Sequence, residues 1–595
     1  MNYRALCLAI LGAALSFSPG SASADATQLY FGDTHLHTSW SADAYLMGNR
    51  SLSPDDAYLF AKGVPRVHPF TGAEVRLETP LDFLTVSDHA EFMGVIPMIF
   101  QGDPRVANTE GAKEFLEIAE EKGVVAAFQG LVAQVVANEV DPTFISPEIN
   151  RSVWHAIADA AERHNAPGQF TTLIGWEWSA LPENSNLHRV VIMRDDAETA
   201  KRFLPFSSFE STRPEALWAW LDATQKQTGA QFVAIPHNSN LSQGRMFETV
   251  DSDGRPIDAE YARTRVRWEP IAEITQVKGD SETHPLLSPE DGFATFEEFL
   301  ASEATADPSN YIRGALRRGL VLERAAGVNP YAFGVIGSTD SHTALATAEE
   351  DNFQQKWAKD GTPQAILAGQ GQMNPMTMGA SGLAAIWATE NTRGALFEAL
   401  RKREVYGTTG TRLRVRFFGG WDFEGADIAA PDIAATGYEK GVPMGGILPG
   451  AGSSSGAPGF LVRAEKDPVG ANLDRIQIVK GWLDASGASH ERVYDVALAD
   501  DRVVPATGEP PPVGSSVDLQ TARYTNTIGD AELSAWWRDP DFDAEQPAFY
   551  YVRVLEIPTP RHTLFDALAV GAAHPADLPS TIQERAYTSA IWYRP

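Results

Sequence analysis

Asp33-Thr34-His35-Leu36-His37 places metal-ligating side chains at alternate positions. Alternate side chains of a strand share a face, so Asp33, His35 and His37 project together. Two imidazoles one residue apart can meet one metal ion, but a catalytic ion takes about three protein ligands and keeps an open position. The pair therefore needs partners from elsewhere in the chain. Ligating types recur in Ser87-Asp88-His89, Gly175-Trp176-Glu177, His188, Pro236-His237 and Asp340-Ser341-His342. Each alone has ordinary structural uses. As a set they point to a metal centre, because imidazole and carboxylate suit Zn, Mn or Fe.

Those residues need elements that hold them at one place. Leu81–Ser87, Phe170–Gly175, His188–Met193, Gln231–Pro236, Ile271–Val277, Ala332–Ser338 and Leu383–Thr389 read as strands. Glu110–Lys122, Ser152–His164, Pro214–Thr228, Asn310–Arg324 and Asn391–Arg403 read as helices, the last capped by Asn391. The alternation predicts a parallel α/β arrangement closing as a barrel over 25–412. All the candidate ligands except His188 then fall at or beside the C-terminal ends of strands, where such barrels carry their chemistry. Segments 90–165, 243–268 and 343–380 read as insertions that shape the mouth. From about 413 to 595 strand-like alternation between Gly- and Pro-rich links predicts a smaller β-rich domain.

Composition sets limits on partners. The chain of 595 residues is too long for one compact domain, and 43% hydrophobic with 21% charged residues is an ordinary globular mix. A net charge of −30 without a basic stripe speaks against nucleic acid. Residues 1–24 read as a signal peptide: Arg4, an apolar run from Ala5 to Phe17, and Ala22-Ser23-Ala24 before Asp25. The protein is thus expected to be exported, periplasmic or secreted, without stable membrane insertion. The one cysteine, Cys7, lies in that segment, which leaves His, Asp and Glu to bind metal.

The motif order resembles the polymerase-and-histidinol-phosphatase (PHP) superfamily of metal-dependent phosphoesterases over residues 30 to about 345. A tighter resemblance, to the family called domain of unknown function 3604, rests on longer strings. These are Phe31–Tyr45, Gln276–Gly279, Asn391–Thr411, Ile478–Trp482, Pro547–Arg561 and Glu584–Tyr593. The resemblance implies a distorted (β/α)7 barrel with insertions, holding two or three divalent metal ions (Zn, Mn or Fe). It implies His35, His37, Glu177 and Asp340 on a first metal, and Glu177, His188 and His237 on a second, with Glu177 bridging. His89 and His342 would hold a third with an acid. The superfamily pattern places that acid at Ala42, whereas this chain has Asp43 one residue later. Asp33 is read as an orienting group, and for Asp88 both roles stay open.

The expected chemistry is hydrolysis of a small, anionic ester by metal-bridged hydroxide, with Glu177, Lys278 and Asp340 as catalytic groups. Lys278, at a strand end, would neutralise charge on a substrate oxygen. Arg245 and Arg561 are further anion-binding candidates. Phosphate is the first reading, and sulfate or other esters and amides are the alternative on the same site. A non-catalytic metal- or carbohydrate-binding protein is the alternative from another class. Gly452-Ser453-Ser454-Ser455-Gly456 matches G-x-S-x-G but lacks the strand–turn–helix context of a nucleophile elbow.

Overall fold

The computed structural model describes residues 26–137, 139–369, 371, 373–450, 456–505 and 509–595. The expected signal peptide, with Cys7, and positions 452–455 of the G-x-S-x-G match lie outside the described residues. Among the described residues no helix is long and apolar enough to cross a membrane.

The main strands of the first part are β1 (Gln28–Leu36), β2 (Phe83–Val86), β3 (Thr171–Trp178), β4 (Arg189–Met193), β5 (Phe232–Pro236), β6 (Ile271–Gln276), β7 (Gly334–Gly337), β8 (Leu383–Ala388) and β9 (Val405–Thr408). β1, β2 and β3 run parallel. β4 and β5 then continue antiparallel, contrary to the all-parallel expectation. The cause is the short link from Trp178 to Arg189. A parallel return needs a crossover of about a dozen residues or more, usually through a helix.

The ladders end at β5. β6 and β7 form a separate parallel pair, with β6 beside β5. The end of β7 meets β1, where the His37 N–H donates to the Ser341 carbonyl at 2.9 Å and the Asp340 N–H to the His35 carbonyl at 2.8 Å. The architecture is mixed α/β, and no closed barrel forms among the described residues. β7 instead crosses closely over β8 and β9. A Cβ on Gly337 would lie 2.6 Å from the Thr408 carbonyl oxygen, and one on Gly407 2.7 Å from the Gly337 nitrogen.

Five helices matter for the site and its frame: α1 (Val124–Ala137), α2 (Pro147–His164), α3 (Pro214–Thr228), α4 (Ile312–Ala326) and α5 (Arg393–Lys402). α3 has the bounds its sequence marks, with Pro214 in the first turn and Gly229 left-handed at the end (φ 82°). α5 begins later than expected. Thr392, not Asn391, caps it by accepting from the Ala395 N–H, while the Asn391 side chain bonds the Asp82 carbonyl.

In the C-terminal part, β10 (Arg414–Gly420), β11 (Gly459–Glu465), β12 (Leu473–Leu483), β13 (Ser489–Leu498), β14 (Glu532–Arg538), β15 (Ala548–Glu556), β16 (Arg585–Thr588) and β17 (Ile591–Tyr593) are the main strands. β10, β11 and β14 belong to their own four-stranded sheet. β16 pairs with β9, so β12, β13, β15, β16 and β17 join the sheet of β1 in one mixed sheet of 13 strands.

Candidate metal centre

β1 ends at Leu36, leaving His35 in the strand and His37 one step beyond its end, both fully buried. Parallel pairing with β2 brings Asp88 and His89 alongside, and β3 presents Glu177 opposite His89. Antiparallel β4 starts just after His188, and β5 ends just before His237. β7 leads into Asp340, which sits in the left-handed region (φ 53°). A non-glycine residue held there is a strain feature typical of functional sites.

Glu177 is the focus. Its Oε2 lies 3.4 Å from His35 Nε2, 3.0 Å from His37 Nε2 and 3.1 Å from His89 Nδ1. Its Oε1 lies 2.6 Å from His188 Nδ1 and 3.1 Å from His237 Nε2. Asp340 Oδ1 approaches His35 Nε2 at 3.4 Å and His37 Nε2 at 3.5 Å. Asp43 bridges the outer pair, 3.3 Å from His89 Nε2 and 2.9 Å from His342 Nε2. All nine candidate ligands marked in the sequence, Asp43 included, therefore lie in one connected cluster.

The cluster fits a metal. His35 Nε2, His37 Nε2 and Glu177 Oε2 are buried and have no hydrogen-bond partner, although they converge on one another. Buried polar atoms are nearly always paired, and three orphans aimed at a shared point match the demand of an ion. Four buried or half-buried triads have ligand atoms within 4.8 Å of one another: His35–His37–Glu177, Glu177–His188–His237, His35–His237–Glu273 and His37–His89–His342. These His/Glu clusters could hold a metal ion.

Electrostatics agree. Burial raises the Glu177 carboxyl, yet His89, His188 and His237 hold it well below the usual range. Burial opposes the charged form of Asp340 too, but Lys278, Lys356 and His35 keep it ionised. Burial pushes His188 down to about 4 and His342 to about 3, leaving both neutral as ligands require. His35 goes the other way, to about 10: Asp340 and Glu273 outweigh its burial. That acidic field calls for a positive charge, which a proton or a metal can supply.

The supporting groups are fixed in turn. Asp33 accepts from the N–H groups of His35 (2.9 Å) and Thr339 (3.1 Å) and so ties β1 to the Asp340 loop. Asp88 accepts from Thr38 and Ser41, and Ser41 Oγ lies 3.0 Å from His37 Nδ1. Lys278 Nζ lies 2.8 Å from Asp340 Oδ2, where Gln276 Nε2 also donates at 2.7 Å. Three contributors escaped sequence reasoning. Glu273 Oε2 holds His35 Nδ1 at 3.0 Å, Lys356 Nζ lies 3.1 Å from Asp340 Oδ1, and Ser41 links Asp88 to His37. Glu273 had a signal, an acid between Ala272 and Ile274 in a strand buried along its whole length.

Other candidates lie elsewhere. Arg561 is buried and locked in a fork on Glu297 at 2.8 and 2.9 Å, so its guanidinium is not free for a substrate, while Arg245 makes a single ion pair with the exposed Glu183. His68, His155, His164, His284, His490, His562 and His574 stand outside the four triads. A comparison with the curated proteins finds no match for the chain. The family described as "Protein of unknown function (DUF3604)" matches residues 24–595, and the chain belongs to it.

Proposed function

We propose that this protein is an exported metal-dependent hydrolase with a PHP-like site, acting on a phosphoester. The observation that carries the reading is the convergence of His35 Nε2, His37 Nε2 and Glu177 Oε2, buried and unpaired. Divalent ions there would polarise the ester and ionise a water near pH 7. The chain's own residues do the rest. Glu177 joins the His35–His37 side to the His188–His237 side, as a carboxylate shared by two ions must. Asp43, His89 and His342 form the outer position. Lys278 and Lys356 hold Asp340 ionised and turn its carboxylate inward. The balance of the reaction is simple: water adds its oxygen to phosphorus, the phosphorus–oxygen bond to the organic group breaks, and a proton ends on the departing alcohol.

The test combines metal analysis of the purified mature chain with hydrolysis assays on aryl phosphate monoesters, diesters and sulfates. More than one ion per chain and turnover of a phosphate ester are expected. Turnover of sulfates alone would shift the reading to a sulfatase, and less than one ion per chain would sink the multinuclear site. Glu177→Ala is expected to lose at least one ion and nearly all turnover. Full activity in that variant would refute the bridging role.

A further inference from the structure

An apolar cavity of about 120 Å³ opens on the outer edge of the ligand cluster, with Asp43, His89 and His188 among its lining residues. Its walls are Phe92, Phe128, Leu131, Val132, Val135 and Leu181. Four of these lie on α1, whose sequence VVAAFQGLVAQVVA is apolar on almost every face. A helix of that kind normally lies inside a protein. Here it covers the approach to a charged cluster and leaves Phe128 and Val132 only half-buried. Phe92 is held in the left-handed region (φ 58°), which a bulky side chain rarely adopts.

The polar groups around this cavity are engaged, apart from His188 Nε2. Glu91 accepts from the N–H groups of Ser179 and Ser208, and Ser179 Oγ lies 2.6 Å from His89 Nδ1. A sugar or glycerol group placed there could offer one hydroxyl to His188 Nε2 and would bury the others without partners, at a cost of roughly 1–3 kcal/mol each. A ring would lose nothing. An apolar cavity of about 150 Å³ accepts benzene, so the size here suits one compact group and no more.

We infer that the site selects esters whose organic group is apolar and compact, an aryl or branched-alkyl group. That group seats against α1, with the oxyanion turned to the ligand cluster. The inference rests on the hydrolase reading for its chemistry but not for its geometry.

The test is calorimetric binding of phenylphosphonate and methylphosphonate, which are not hydrolysed, to the metal-loaded full chain. Phenylphosphonate is expected to bind at least about tenfold more tightly, the scale of discrimination an apolar pocket gives. In Phe128→Ser, and separately in Val132→Asn, the two affinities are expected to converge. Two half-buried positions are used so that one poorly folding variant does not decide the matter, and melting curves report on each. Turnover of phenyl phosphate and glycerol phosphate runs alongside. Equal affinities for the two phosphonates, or binding of neither, would overturn the inference. Equal affinities with turnover of both esters would leave the hydrolase reading standing. A phenyl preference with no turnover of any ester would support the pocket and overturn the hydrolase.

Discussion

His35 shows how much a single side chain depends on what stands behind it. Glu273 holds its Nδ1 at 3.0 Å, which fixes the ring and turns Nε2 toward Glu177 and Asp340. An anionic partner on the far nitrogen also makes an imidazole a better donor, and losing such a partner typically costs 10–100-fold in metal affinity. Glu273→Gln keeps the shape and removes the charge. It is expected to release metal to a competing chelator at about tenfold lower chelator strength, with the fold intact by circular dichroism. Unchanged retention would mean the ring is set without the charge. The candidate ligands were legible because H-x-H, D-x-H and P-H keep their spacing in the chain. Lys356 was not, because it lies in a long segment between β7 and β8 and reaches Asp340 only through the tertiary fold. Asp43 was legible as an acid near the first motif. Its contact with His342 depends on a residue some 300 positions away.

Strands set the positions of those residues, and β7 is held in close quarters. Its backbone lies so close to β8 and β9 that a methyl group on Gly337 would meet the Thr408 oxygen at 2.6 Å and the Leu383 oxygen at 2.9 Å. Nothing there is the flexible end of a side chain, so the strand itself must move. Gly337→Ala is expected to destabilise the protein by about 1–3 kcal/mol and to lower metal content, since Asp340 follows three residues on. Gly130 in α1 is the opposite case, with nothing within 4 Å of an added Cβ. Gly130→Ala should stabilise by about 0.5–1 kcal/mol, because alanine loses less backbone freedom in a helix. Urea titrations of the two variants check both signs, and a Gly337→Ala midpoint equal to wild type would show that β7 can lift at no cost. Most strands were legible from apolar runs, and α3 to the residue. Direction was not, since β4 carries the same pattern whether parallel or antiparallel and only the length of its link decides. α1 was missed because an all-round apolar helix has no 3.6-residue contrast to read.

At the scale of the whole molecule, the stretch around residue 412 is a seam in sequence where the sheet is continuous. β9 pairs with β16 across it, and Arg553 on β15 reaches Glu282 and Asp291 at 2.9 and 2.6 Å. The same seam buries carboxyls. Glu556 accepts from Thr411 Oγ1 at 2.6 Å, Glu584 accepts from Thr409, and Glu350 accepts from the His562 N–H. Burial pushes all three from 4.5 up to about 8, and nearby acids add to it: Glu584 acts on Glu350, Glu556 and Glu297 on Glu584, and Asp467 on Glu556. Each is therefore protonated in the folded protein over a range where the unfolded chain has lost its proton. Between about 4.5 and 8 the native state binds more protons, so stability falls as pH rises and levels off above about 8. Metal binding has the opposite slope, because ligands must shed protons to bind. Comparing wild type with Glu584→Gln at saturating metal cancels that term, as Glu584 is no ligand. The melting temperature of wild type is expected to drop from pH 6 to pH 9 more steeply than that of the variant, the gap opening toward high pH. Parallel curves would mean that Glu584 is ionised in the folded state and that the seam is held by charge pairs such as Arg553–Glu282 rather than by protonated acids.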